Sequence, residues 1–221
     1  MADKAFKYWL LAFVGSSLLY LVIRNMGDMP LEWLPKSIPI LLLIALAKNT
    51  LQGKTQSLML AALVCSLAGD ILLSFKGLFL PGLGAFLVAQ VIYCILFSGQ
   101  FKKSRNGFIW LAGIILYAVS MGSFIIPNAG PFSWVVGIYL LAISCMAISA
   151  GFRNDPQFIW VALGAFIFML SDSLIAINKF VQPFPYAGVA IMVSYYVAQL
   201  MITLGIIRHH LQQQTLGQSS P

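Results

Sequence analysis

Residues 57–75 read Ser-Leu-Met-Leu-Ala-Ala-Leu-Val-Cys-Ser-Leu-Ala-Gly-Asp-Ile-Leu-Leu-Ser-Phe, nineteen positions in which Asp70 is the one charged side chain. A run of this length, at 1.5 Å per residue, approaches the ~30 Å of hydrocarbon that a membrane helix must cross. Six further runs read the same way: 6–23, 79–98, 108–126, 131–150, 158–177 and 186–207. An eighth, around 31–47, is weaker. Its strictly apolar part is Ile38–Ala47, and it spans only if Trp33 and Leu34 lie at an interface while Lys36 snorkels to it. Pro39 is expected in its first turn.

The fold expected is therefore all-α: a polytopic transmembrane helix bundle of eight spans, with seven plus a re-entrant or interfacial segment as the alternative. Residues 1–211 form one membrane domain, and the polar segment 212–221 is read as a disordered tail. Composition agrees. Apolar residues make up 60% of the 221 and charged residues 9%, with mean hydropathy +0.91, against roughly 25% charged in a soluble domain. The basic start (Lys4, Lys7) ahead of an apolar run resembles a signal peptide. No small-x-small cleavage site precedes Arg24, so a retained first span is expected.

The net charge of +7 does not indicate a nucleic-acid partner, because the thirteen Lys and Arg are scattered between apolar runs, as topogenic charges are. With eight spans, Lys4, Lys7, Lys48, Lys54, Lys102, Lys103, Arg105, Arg153 and Arg208 share one side, and Arg24, Lys36, Lys76 and Lys179 the other. The positive-inside rule then places both termini in the cytoplasm, at the plasma or inner membrane in a bacterium, and makes 57–75 and 158–177 both run outward.

Cys65, Cys94 and Cys145 fall inside apolar runs without zinc spacing, and His209 and His210 sit together at the end of the last span. No cofactor is expected, although carboxylates alone can hold magnesium or calcium. Four of the six acidic residues, Asp3, Asp28, Glu32 and Asp155, read as solvated loop charges.

Asp70 and Asp172 differ, because a charge at bilayer depth costs about 2.5–3.5 kcal/mol on insertion scales. Each precedes the end of its run by five residues, which puts both carboxyls about 7–8 Å inside the same hydrocarbon boundary. Structural pairing with Lys76 or Lys179 is the bland alternative. Other polar side chains line helical faces: Ser66 and Ser74 flank Asp70 at i±4, Gln90 and Tyr93 share a face, and so do Tyr195, Gln199 and Thr203, with Tyr196 beside them. Gln90 and Gln199 are placed deeper than the aspartates, as if along a descending polar cavity. An offset of 102 residues superposes Asp70 on Asp172 and Tyr93 on Tyr195, consistent with two four-span halves repeated in parallel.

Three stretches, Ser66-Leu-Ala-Gly-Asp70-Ile-Leu-Leu, Gly164-Ala-Phe-Ile-Phe-Met-Leu-Ser-Asp172-Ser-Leu-Ile-Ala and Ser194-Tyr-Tyr-Val-Ala-Gln199-Leu-Met-Ile, together resemble the YhhN-like lysoplasmalogenase family. Lys36, Tyr93, Tyr117 and Tyr139 are weaker matches, and Gln90 stands where the family pattern has a His. The resemblance implies hydrolysis of the vinyl ether bond of lysoplasmalogen, a lysophospholipid held within the bilayer, to a fatty aldehyde and a glycerophospho head group. On that reading Asp70 and Asp172 are catalytic, and Ser66, Lys36, Gln90, Tyr93, Tyr195, Tyr196 and Gln199 bind substrate. Two carboxyls suit this chemistry, since protonation of the alkene gives an oxocarbenium-like cation that water attacks, as in glycosidases. The alternatives are a proton-coupled transporter or lipid carrier using the aspartates as a relay, and a non-catalytic scaffold.

Overall fold

The computed structural model describes residues 3–25 and 31–218. Eight α-helices account for most of them: α1 (Asp3–Asn25), α2 (Trp33–Thr50), α3 (Gly53–Leu73), α4 (Phe79–Ser98), α5 (Arg105–Ile125), α6 (Ser133–Gly151), α7 (Phe158–Ala176) and α8 (Ala187–Gln218). Two 3₁₀ turns (Ile126–Asn128, Gly130–Phe132) join α5 to α6, and a π-helical turn (Ile177–Val181) follows α7. Seven of the helices are long and apolar enough to cross a membrane, which makes the chain a multi-pass membrane helix bundle. The eighth, α2, forms but falls short of the other seven in composition, with Lys36, Pro39, Lys48 and Asn49 in an 18-residue helix.

Helix α2 differs from the sequence expectation in two respects. The helix starts at Trp33, five residues before the strictly apolar stretch, so Pro35 occupies the first turn and Pro39 lies inside. Having no N–H, Pro39 gives up the ladder hydrogen bond to the Pro35 carbonyl four residues back. Lys36 does not snorkel. It is 8% exposed, and its ammonium is satisfied within the protein. At the other end, helix α8 runs past the predicted boundary at 211. Gln212–Gln218 continue it without a break, because Gln and Leu are good helix formers and no proline intervenes. Residues 219–221 lie outside those described.

The chain divides into two compact units, Met1–Ala89 and Gln90–Pro221. In the first, α2 packs between α1 and α3. Trp9 donates its indole N–H to the Leu42 carbonyl, 3.1 Å away, and Gln56 Nε2 donates to the carbonyls of Lys48 and Leu51, satisfying acceptors at the C-terminal end of α2. At Gly69 a Cβ would come within 2.5 Å of the Phe86 ring, so α3 needs a glycine one residue before Asp70. Gly77, at φ +87°, makes the turn toward α4 in a conformation that side chains rarely adopt.

In the second unit, α5, α6, α7 and α8 pack in sequence order. The α7–α8 approach is close because Gly164 faces Ile202 and Ala198, and Gly205 faces Val161; a Cβ at Gly164 would stand 2.9 Å from Ile202 Cγ1. The connections at one end are joined by backbone hydrogen bonds from Lys102 N to Phe152 O (2.9 Å) and from Asn154 N to Gln100 O (2.8 Å).

Candidate functional site

Asp70 sits in the last turn of α3, 3% exposed. The helix tightens there. Ser74 N bonds to the Ile71 and Leu72 carbonyls instead of the Asp70 carbonyl. That carbonyl is taken up by two other donors, Lys36 Nζ at 2.9 Å and Ser74 Oγ at 3.0 Å. Lys36 Nζ also stands 3.7 Å from Asp70 Oδ1 and 3.5 Å from Ser74 Oγ. One ammonium from α2 thus serves the negative end of α3 and its carboxylate together. Lys76, the nearer lysine in sequence, is exposed. Ser66, one turn earlier, is fully buried, and its hydroxyl has no hydrogen-bond partner among the described residues.

Asp172 occupies the corresponding place in α7, 8% exposed. Its Oδ2 accepts a hydrogen bond of 2.5 Å from the Tyr139 hydroxyl and one of 3.0 Å from Gln90 Nε2. Gln90 is therefore at the level of this carboxylate where its side chain ends, and not deeper. A Gln extends its amide about a turn beyond its Cα, a reach that residue counting along a helix misses. Gln90 also supplies an N–H donor at the position where the resemblance expects a histidine. Beside Asp172 lies a cavity of about 40 Å³, with Tyr139, Asp172 and Ser173 as its polar lining and Gly122, Val136 and Met169 among its apolar walls. A water needs about 10–15 Å³ of such space and two or more polar partners, so the cavity has room for one beside the carboxylate.

A second buried pair lies in the same unit. Tyr93 donates to Gln199 Oε1 at 2.6 Å, and the Tyr93, Phe168 and Tyr195 rings follow one another edge-to-face, with Tyr196 beyond. Gln199 Nε2 and Thr203 Oγ1 have no partner among the described residues. In Gln90–Pro221 the fold thus joins Gln90 to Asp172, Tyr93 to Gln199, and Tyr195 to Tyr196. In Met1–Ala89 it joins Lys36 to Asp70. Tyr139 was not among the expected site residues. A lone Tyr in the apolar run 131–150 has no periodic signal, and only its place in the resemblance singled it out.

Two expected loop charges are structural. Glu32 accepts from the Tyr20 hydroxyl at 2.8 Å and pairs with Arg24. Asp155 is buried. Its Oδ2 lies 2.7 Å from Arg153 Nε, its Oδ1 accepts from Gln157 N at 2.8 Å, and His209 Nδ1 stands 3.9 Å away. Burial holds the Arg153 guanidinium below its usual value while Asp155 pulls it back up. Asp28 and the side chain of Asp3 lie outside the described residues. Among those described, no three His, Cys, Asp or Glu side chains cluster closely enough to hold a metal ion.

A family model described as the YhhN family matches residues 31–206, four fifths of the chain. The chain belongs to the YhhN family. The matched range contains every site residue from Lys36 to Gln199. Two mammalian relatives resemble the chain over nine tenths of its length. It is 34% identical to lysoplasmalogenase TMEM86B of Homo sapiens over 205 residues, covering 90% of this chain and 87% of that protein. It is 30% identical to lysoplasmalogenase TMEM86B of Sus scrofa over 202 residues, covering 90% and 86%. A lysoplasmalogenase of Mycobacterium tuberculosis (strain CDC 1551 / Oshkosh) is 30% identical over 164 residues, 69% of this chain and 61% of that one. No solved structure matches this YhhN protein.

Proposed function

We propose that this YhhN-family chain is a lysoplasmalogenase, a membrane hydrolase that cleaves the vinyl ether bond of lysoplasmalogen. The observation that carries the reading is its similarity, over nine tenths of its length, to proteins named for that activity. Water and the vinyl ether suffice as reactants. A proton adds to the β-carbon of the alkenyl chain, and the α-carbon becomes an oxocarbenium-like cation. Water attacks that carbon, and the hemiacetal collapses to a fatty aldehyde and the glycerol hydroxyl of a glycerophosphoethanolamine or glycerophosphocholine.

Asp70 and Asp172 are assigned to this reaction, one as the acid and the other as the carboxylate that supports the cation or activates water. The matched positions of the two residues in runs 57–75 and 158–177 support the pairing. For Asp172, the donors from Tyr139 and Gln90 and the adjoining water-sized cavity support it further. Lys36, Ser66, Gln90, Tyr93, Tyr195, Tyr196 and Gln199 are assigned to holding the lysophospholipid. Both termini are assigned to the cytoplasm from the distribution of Lys and Arg.

Purified protein incubated with lysoplasmalogen should release aldehyde and glycerophospho head group in equal amounts. A preparation that is monodisperse and helical yet releases neither would refute the assignment.

A further inference from the structure

A groove of about 470 Å³ opens between α5 and α7, within the Gln90–Pro221 unit and apart from the Asp172 cavity. Its volume falls in the range of small-molecule sites. Its walls are apolar, with Trp110, Ile114, Phe158, Leu163 and Phe166 among them and Asn106 at one end. Trp110 is a fixed wall. It donates its indole N–H to Ala147 O at 2.8 Å, stands edge-on to Phe166, and lies so close over Gly151 that a Cβ there would collide with the ring. Gly113 lines the groove with nothing within 4 Å of where a Cβ would stand, so the space is open there. Both helices belong to membrane-spanning segments, and Ile109 (63% exposed) and Ile159 (45%) face outward beside the opening. The open side therefore meets hydrocarbon.

The rim at the Asn106 end is cationic. Lys102, Lys103 and Arg105 are exposed, and residues 99–107 contain no acid. The acid of the neighbouring connection, Asp155, is buried against Arg153 and does not neutralise them. An apolar slot open to lipid, ending under a cationic rim at the start of α5, matches one kind of molecule in both halves.

We propose that the α5–α7 groove binds an anionic phospholipid of the surrounding membrane, with an acyl chain along Trp110 and Gly113 and the headgroup phosphate at Arg105, Asn106 and the adjacent lysines. This site is separate from the hydrolytic reading and does not depend on it.

The test uses full-length protein keeping Trp110 as its one tryptophan (Trp9→Phe, Trp33→Phe, Trp134→Phe, Trp160→Phe), reconstituted in phosphatidylcholine vesicles. Bromine-labelled acyl chains quench a tryptophan they touch. Labelled phosphatidylglycerol should quench Trp110 saturably and at lower mole fraction than labelled phosphatidylcholine, by about fivefold for each rim cation engaged. Replacing Lys102, Lys103 and Arg105 by Gln should abolish that preference, and Gly113→Leu should abolish the saturable component. The rim residues are exposed, so their replacement leaves the fold intact, and mass spectrometry of protein with its native tryptophans should show retained phosphatidylglycerol lost in the same variants. Equal quenching by the two lipids, or a preference that survives the rim replacements, would overturn the proposal. So would displacement by a neutral lysophospholipid as effective as by phosphatidylglycerol, since the groove would then serve the substrate.

Discussion

Asp155→Ala removes the acid partner of a guanidinium that has almost no contact with solvent. The Arg153 and Asp155 side chains are 2% and 0% exposed, and the substitution deletes the 2.7 Å contact between them and the 2.8 Å bond from Gln157 N. Truncating one member of a buried pair costs about 3–5 kcal/mol, most of it the penalty of leaving the other charge uncompensated. For a protein of this length that corresponds to a fall in apparent Tm on the order of 10 °C, measured at one scan rate in one mild detergent. Asp155→Asn keeps an acceptor for Gln157 N and should fall less. Arg153→Met combined with Asp155→Ala should recover much of the loss, because no orphan charge remains. The stacking of Arg153 over Phe97 (6.0 Å) and the hydrogen bond from Lys102 N to Phe152 O place this pair where two connections meet, so the single mutant should also expose residues 99–104 to proteolysis. An Asp155→Ala protein melting within about 2 °C of wild type would instead make Asp155 a solvated loop charge.

Tyr139→Phe deletes the 2.5 Å bond to Asp172 without changing the packing shape. A hydrogen bond to a charged group is worth about 1.5–3 kcal/mol, so aldehyde release should slow about 10- to 100-fold with folding unaffected; unchanged turnover would show that this tyrosine only packs. Aldehyde release should survive EDTA, and complete loss restored by one divalent cation would make the aspartates metal ligands. Single cysteines placed in 99–107, in a background without Cys65, Cys94 and Cys145, should react with an impermeant reagent only after permeabilisation; labelling in intact cells would reverse the proposed orientation.

Much of this molecule was legible from hydrophobic length alone, because a helix in lipid must satisfy its backbone internally and announces itself as an uninterrupted apolar run. Asp70 and Asp172 stood out for the same reason, as single charges where charge is costly. What stayed hidden depends on tertiary proximity. Lys36 lies 34 residues before Asp70, and only the α2–α3 packing brings its ammonium to that helix end. Tyr139 and Gln90 lie 33 and 82 residues from Asp172, with no spacing to connect them. Asp155, two residues after Arg153 in a polar turn, looked solvated because sequence cannot tell a surface turn from one buried under the end of a neighbouring helix. Helix α8 overran its apolar run because membrane hydropathy marks where lipid ends, and good helix formers continue the helix beyond it.

The proposal that Asp70 and Asp172 act together on lysoplasmalogen is decided by aldehyde release from Asp70→Asn, Asp172→Asn and the double mutant. Each single change preserves shape while removing a titrating group, and general acid–base catalysis contributes about 10²–10⁴-fold. Each single mutant should therefore lose at least that much turnover. The double mutant should be scarcely worse than the poorer single, because residues serving one transition state are not additive. Near-normal aldehyde release from both monodisperse single mutants, or losses that multiply in the double, would contradict it.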